Sequence, residues 1–182
     1  MSVETVVSLQ SLIDKVPDYA RDLRLNWSSL EQGTELNDNQ KWGTFVAAAY
    51  GARNPHLAVA VAEAAAAHIA PEQVNAAKGA AAIMSMNNIY YRFQHLSSNE
   101  KYATMPARLR MNIMRTHGVN DADFELWALA VSAINGCGKC VDSHEKVLRE
   151  KAVSEEVILG AVRIAAVVNA VASVLDAEVI AG

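Results

Sequence analysis

Five times along this chain a helix-start signal precedes an apolar run. Asn54-Pro55, Ala70-Pro71-Glu72, Met105-Pro106, Asn120-Asp121 and Ser154-Glu155-Glu156 each place a cap, a first-turn proline or early acids there. Alanine fills much of the runs that follow, and it has the highest intrinsic helix preference. Alternating β-branched and aromatic segments are almost absent, so strands have no obvious place. The pattern predicts an all-α chain with helices over 4–16, 19–31, 37–51, 55–68, 71–96, 106–115, 121–134, 138–150 and 154–176. With 52% hydrophobic residues in 182, such a chain can bury a real core in a single compact helical domain.

The two halves of the chain resemble one another. Counting from Trp42 and from Trp127, "GTFVAAAYGARNP" aligns with "ALAVSAINGCGKC", so Gly51 matches Gly136, Ala52 matches Cys137 and Pro55 matches Cys140. Pro71-Glu72 then corresponds to Ser154-Glu155 with a two-residue gap, and each half continues into a long apolar helix holding asparagine, Asn87-Asn88 or Asn169. This predicts an internal duplication, with a degenerate first repeat over 36–100 and a second over 119–178 that keeps the chemistry. Two unrelated alanine-rich hairpins would align nearly as well.

The net charge of −4 argues against nucleic acid and membrane surfaces as partners, since both call for a basic face. The opening "MSVETVVSLQSLIDKVPDYARD" carries acids and lacks the apolar core of a signal peptide. Glu63 and Pro55 interrupt one apolar run, Arg163 and Asn169 another, so no stretch is expected to reach the ~20 residues of a bilayer span. The expectation is a cytoplasmic protein. In that reducing compartment a Cys-x-x-Cys pair points to redox or metal chemistry more than to a structural staple.

Such a pair exists in "SAINGCGKCVDSHEKVL", residues 132–148, and it contains the only two cysteines of the chain. Cys137 falls at a predicted helix start, where unpaired N–H groups and the helix dipole favour thiolate. Lys139 adds positive charge beside it. His144 follows Cys140 by four residues, one helical turn along the same face, within reach of acting as its base. Zinc is the alternative reading, because Cys137, Cys140 and His144 supply three ligands where a catalytic site needs three and a structural site four. A third reading is a pair of small buried residues.

Glu125 enters by geometry. If Asn135-Gly136 folds two helices back antiparallel, Glu125 lies eleven residues before Gly136 and His144 eight after it. The mismatch of three residues is about 4.5 Å along the axis, so a Glu–His–Cys relay is within reach. The alternative is a first-turn glutamate that complements its own helix dipole. Asp142 and Ser143 flank the site without a distinguishing signal, and His117 reads as a loop residue. Met84, Met86, Tyr90, Tyr91 and Phe93 read as a core-facing stripe. Arg163, inside an apolar helix, is expected to pair with an acid or line an interface.

Taken together, "FELWALAVSAINGCGKCVDSHE", "MSMNNIYYRF" at 84–93 and "LRMNIM" at 109–114 closely resemble the alkyl hydroperoxide reductase D (AhpD) family of the carboxymuconolactone decarboxylase superfamily. The resemblance implies an all-helical, duplicated fold, a homotrimer, and antioxidant peroxidase activity on organic hydroperoxides. It implies that Cys140 is the peroxidatic cysteine, passing through a sulfenic acid, and that Cys137 resolves it as a disulfide and exchanges with the reductant. Glu125 and His144 would form the proton relay, with no metal and no tightly bound cofactor. The implied reductant is dihydrolipoamide, as the lipoyl-lysine of a 2-oxoacid dehydrogenase E2 component. The implied downstream partner is an alkyl hydroperoxide reductase C type peroxiredoxin. Lys139 departs from those members that carry histidine before the second cysteine. Two other classes compete: a general dithiol-disulfide oxidoreductase or redox-regulated binding protein, and a lactone decarboxylase, whose chemistry needs no dithiol.

Overall fold

The structure, a computed structural model, describes residues 8–181, with side chains described to Glu178. Within that range the helices are α1 (Leu9–Asp14), α2 (Arg21–Gln32), α3 (Asp38–Ala52), α4 (Pro55–Ala65) and α5 (Pro71–Leu96). The short α6 (Lys101–Thr104) and α7 (Ile113–Thr116) follow, then α8 (Asp121–Ile134), α9 (Gly138–Glu150) and α10 (Glu155–Ala181). A 3₁₀ turn, Asp18–Ala20, leads into α2, and no strand forms among the described residues. The all-α reading holds.

Helices α4, α5, α8 and α10 begin at four of the five predicted signals, and α3 begins at a cap that the reading did not single out. Asn37 closes a full capping box with Gln40, and Asn54 and Asn120 accept from the first-turn N–H groups of α4 and α8. The expected helix over 106–115 is a correction. Only single turns form on either side of an irregular segment, where Arg108 sits at φ 51°. Arg108, Leu109 and Arg110 are exposed, so no apolar face rewards a helix there. Of the first predicted helix, 4–7 lie outside the described residues, and the rest ends at Asp14, ahead of Pro17. The last helix extends beyond its predicted end at 176.

The core forms where α3 and α8 cross. A Cβ on Gly43 would run into the Trp127 indole, so the missing side chain lets the two helices approach. Trp42, Phe45, Val46, Phe124, Leu126 and Leu129 complete this centre, all buried. Helices α5 and α10 flank the crossing, and both touch α3 and α8. Helix α9 folds back on α8 and rests against α5, which puts the Cys-x-x-Cys segment beside the middle of α5.

Glu155–Glu178 is long and apolar enough to cross a bilayer by length and composition, Arg163 and Asn169 notwithstanding. Its residues Ile158, Ala161, Ile164, Ala165, Val168, Val171, Ala172 and Leu175 are buried, however, against α3, α8 and α2. Core packing accounts for its apolar character. The contacts of α3 with α4, α5 and α10 find counterparts in those of α8 with α9, α10 and α5. We propose the internal duplication on that correspondence.

Candidate active site

The site begins at the end of α8. Asn135 caps the helix, Gly136 follows at φ 64°, and two backbone bonds close the turn: Gly136 N–H to Ala133 O at 3.1 Å and Cys137 N–H to Ser132 O at 3.1 Å. This pair of bonds around a left-handed residue is a Schellman motif, and glycine adopts that conformation without a Cβ penalty. Cys137 thereby leaves α8 and becomes the N-cap of α9, with Cys140 in the first turn. The sequence reading assigned the helix end to Cys137 alone; the structure places both sulfurs there. Their Cα atoms are 5.3 Å apart and the two are joined as a disulfide.

The cysteines differ in surroundings. Cys137 is fully buried, at 0% exposure, whereas Cys140, at 5%, lines a cavity of about 350 Å³. His144, Lys139, Met84, Asn87, Tyr91, Met111, Met114 and Ser143 share that wall. The volume lies in the range of small-molecule sites. Lys139 brings an ammonium to this wall. Its ammonium lies 3.4 Å from Gln94 Oε1 and 5.4 Å from the centre of the Tyr91 ring, and no carboxylate among the described residues pairs with it within 4.0 Å. Gln94 and Tyr91 position this cation without neutralising it.

His144 is buried, and its Nδ1 lies 2.6 Å from Glu125 Oε2. A carboxylate there accepts from Nδ1–H, which leaves Nε2 free of that bond. Nε2 faces Met84 Sδ at 3.3 Å, on the cavity wall. The same sulfur meets Ser132 Oγ at 3.5 Å and Asn88 Nδ2 at 3.7 Å. Asn88 also donates to Ser132 Oγ at 2.9 Å and accepts from Asn135 Nδ2 at 3.0 Å, while Arg92 donates to Asn135 O at 2.6 Å. A buried hydrogen-bonded network thus ties the middle of α5 to the turn that carries Cys137.

Several residues differ from their sequence readings. Met84 is buried as expected, but it and Tyr91 line the cavity, and Phe93 is 52% exposed instead of core-facing. Asn87, buried in the cavity wall with Oδ1 unpartnered, was missed, as were Met111 and Met114. Only their placement reveals them: Asn87 on the face of α5 nearest α9, Met111 in the irregular segment and Met114 in α7. Ser143 joins the wall; Asp142 is exposed outside it. His117 is a loop residue, as expected, between α7 and α8; its ring stacks on Phe124 at 4.3 Å and lies 3.4 Å from Asp121. Arg163 pairs with no acid within 4.0 Å among the described residues, and instead lines a shallow recess with Glu35, Glu155, Glu156 and Leu159. No group of three or more His, Cys, Asp or Glu side chains among the described residues is placed to hold a metal ion.

Sequence comparison extends the picture beyond the site. The profile of the carboxymuconolactone decarboxylase family matches residues 100–181. Alkyl hydroperoxide reductase AhpD of Acidobacterium capsulatum is 62% identical over 171 residues, covering 93% of each chain. The protein of the same name from Koribacter versatilis is 58% identical over 173 residues, covering 94% of this chain and 89% of the relative. That of Maricaulis maris is 55% identical over 172 residues, covering 94% and 99%. Identity at this level, sustained through both halves, places the chain in the AhpD family of the carboxymuconolactone decarboxylase superfamily.

Proposed function

We propose that this protein is an antioxidant, thiol-dependent alkyl hydroperoxidase. The observation that carries the reading is a joined Cys137–Cys140 pair of which only Cys140 lines a cavity, together with a histidine held by a buried-side glutamate. The names of the relatives agree with it.

In the proposed cycle His144 Nε2 takes the proton of the Cys140 thiol, while Glu125 keeps Nδ1–H oriented. The Cys140 thiolate attacks the terminal oxygen of R–O–O–H. The O–O bond breaks, Cys140 becomes a sulfenic acid, and the leaving alkoxide takes a proton from His144 to give R–OH. Cys137 then attacks the sulfenic sulfur, forming the disulfide and releasing water. A dithiol donor returns both cysteines to thiols and becomes a cyclic disulfide, so two electrons pass from donor to peroxide in each turn. We infer that the donor is a dihydrolipoyl-lysine of a 2-oxoacid dehydrogenase E2 component, with no cofactor tightly bound. We also propose that the reduced dithiol regenerates an alkyl hydroperoxide reductase C type peroxiredoxin. The exposed apolar side chains of Ile89, Phe93, Leu96 and Met105 support assembly of copies, which we propose to be a homotrimer.

Steady-state consumption of cumene hydroperoxide with dihydrolipoamide, and no other protein, tests the central claim. Catalytic turnover that is lost in Cys140→Ser is expected. One stoichiometric oxidation without turnover, across a panel of dithiols, would instead identify a redox-regulated binding protein or a general dithiol oxidoreductase.

A further inference from the structure

We propose that the cavity prefers organic hydroperoxides that carry a carboxylate, and that Lys139 is the residue that recognises this group. The inference rests on the peroxidase reading and names a substrate class within it.

Much of the wall suits an apolar substituent. Met84, Tyr91, Met111 and Met114 line it, and thioethers with an aromatic ring accommodate apolar groups of varied shape. Lys139 stands in the same wall, yet no carboxylate among the described residues lies within 4.0 Å of its ammonium. Glu125, the acid behind the cavity, is engaged by His144 Nδ1 at 2.6 Å. The charge of Lys139 is thus left for a ligand. A hydroperoxide group is neutral, so the match for this cation is an anionic group elsewhere on the same molecule.

The ammonium is also held in place, unlike that of a lysine free in solvent. It donates to Gln94 Oε1 at 3.4 Å, and Gln94 is itself fixed, because its Nε2 donates to Tyr102 O at 2.9 Å. Nζ stands 5.4 Å from the centre of the Tyr91 ring, within cation–π range. A cation positioned by neutral neighbours keeps its charge and loses less freedom when an anion binds. The chain beside it adds to the effect. The segment that supplies Met111 and Met114 holds Arg108, Arg110 and Arg115, with no acid between Glu100 and Asp121. None of these arginines pairs with a carboxylate within 4.0 Å among the described residues. In a chain of net charge −4, a basic segment at this cavity runs against the average and steers anions towards it.

Cumene hydroperoxide bearing a para-carboxylate, and the methyl ester of that acid, differ chiefly in charge. The ratio of their kcat/KM values, measured with neutral dihydrolipoamide as donor, therefore reads the recognition. Any effect of Lys139 on the Cys140 thiolate or on the leaving alkoxide acts on both substrates and cancels. At roughly 20 mM ionic strength wild type should favour the acid about fivefold, chiefly through KM, as a partly exposed ion pair allows. The preference should fall towards one at about 0.5 M salt. Lys139→Gln should bring the ratio to about one, and Lys139→Glu should turn it in favour of the ester. A wild-type ratio at or below one, or a preference that Lys139→Gln leaves intact, overturns the proposal. The corresponding carbinols, which are the reduction products, give a readout that needs no turnover. Titrated into the disulfide protein and followed by the methyl signals of Met111 and Met114, the acid should bind about fivefold more tightly than its ester, and the two should bind equally to Lys139→Gln. Equal binding to wild type would overturn the proposal as well. If neither peroxide is consumed, the peroxidase reading falls, while these affinities still decide the role of Lys139.

Discussion

Glu125 Oε2 and His144 Nδ1 lie 2.6 Å apart across the α8–α9 hairpin, although nineteen positions separate them in the chain. The Schellman turn at Gly136 sets the level at which the two helices meet. Helix α8 presents Glu125 partly buried, and α9 presents His144 buried, so the contact forms where water competes weakly.

Glu125 and His144 should therefore behave as one unit. A general base is worth about 10²–10⁴-fold, so His144→Ala should slow peroxide-dependent turnover by that range. Glu125→Ala should cost less, because an unoriented imidazole still accepts a proton. The double variant should be little worse than His144→Ala, as groups acting together lose most of their effect when either is removed. Both losses should shrink as pH approaches the free-thiol value of ~8.5, where the thiol ionises unaided. Multiplying penalties in a pH series of kcat/KM would reduce Glu125 to a helix-start residue.

The order of the cysteines can be read by trapping. In Cys137→Ser, peroxide should generate a sulfenic acid at Cys140 that a dimedone-type reagent captures, because the resolving thiol is gone. In Cys140→Ser the remaining thiol is fully buried and lacks a place on the cavity wall. Its capture should be at least tenfold slower. Comparable labelling of the two variants by intact mass would reverse the assignment.

Much of this arrangement was legible in the sequence, for local reasons. Asn-Pro and Asn-Asp pairs announced α4 and α8, and the Gly136 break announced the turn before the cysteines. Glu125 was reachable because a tight antiparallel hairpin turns sequence distance into height along an axis. The rest is tertiary. Nothing in "MSMNNIYYRF" says that Met84 and Asn87 wall a cavity while Phe93 faces out, since the orientation of α5 depends on where α8 and α9 come to rest. The 106–115 segment failed for a related reason: its proline signals a helix, but a helix that finds no core is not retained.

Asp123 gives a test by pH. It is 7% exposed, and burial raises its carboxyl above the usual value of 3.8, opposed in part by a side-chain hydrogen bond with Gln40. A raised folded-state value means that the native state holds this proton more tightly than the unfolded chain does. Stability from this group is then present at acid pH and is lost as pH rises from the ordinary carboxylate range through the folded-state value. Asp123→Asn keeps an acceptor for Gln40 and removes the charge, so it should be more stable than wild type at pH 7. The gap should close as pH falls towards 4. Urea midpoints at both pH values check this, and a gap of equal size at both would show that burial of the charge is not the cause.

Two turns of the same kind test the backbone argument at the active site. Helix α9 ends as α8 does: Ala152 stands at φ 58°, with Ala152 N–H on Arg149 O at 2.9 Å and Val153 N–H on Leu148 O at 3.0 Å. The left-handed position thus holds glycine after α8 and alanine after α9. A residue with a Cβ is penalised there by roughly 1–2 kcal/mol, while glycine gives back about 0.4–1 kcal/mol through the freer unfolded chain. Ala152→Gly should accordingly gain between zero and about 1.6 kcal/mol, a rise in Tm of at most ~6 °C for a chain of this size. Gly136→Ala should lose a similar amount, and the space around Gly136 is open, so the loss is conformational and not steric. The two variants should differ in one further respect. A disturbed Gly136 turn loosens the Cys137 N–H bond to Ser132, so Gly136→Ala should also raise the labelling rate of reduced Cys137, which Ala152→Gly should leave alone. Calorimetry with thiol labelling of both variants decides the matter, and a destabilised Ala152→Gly would remove the left-handed penalty as the reason glycine precedes the cysteines.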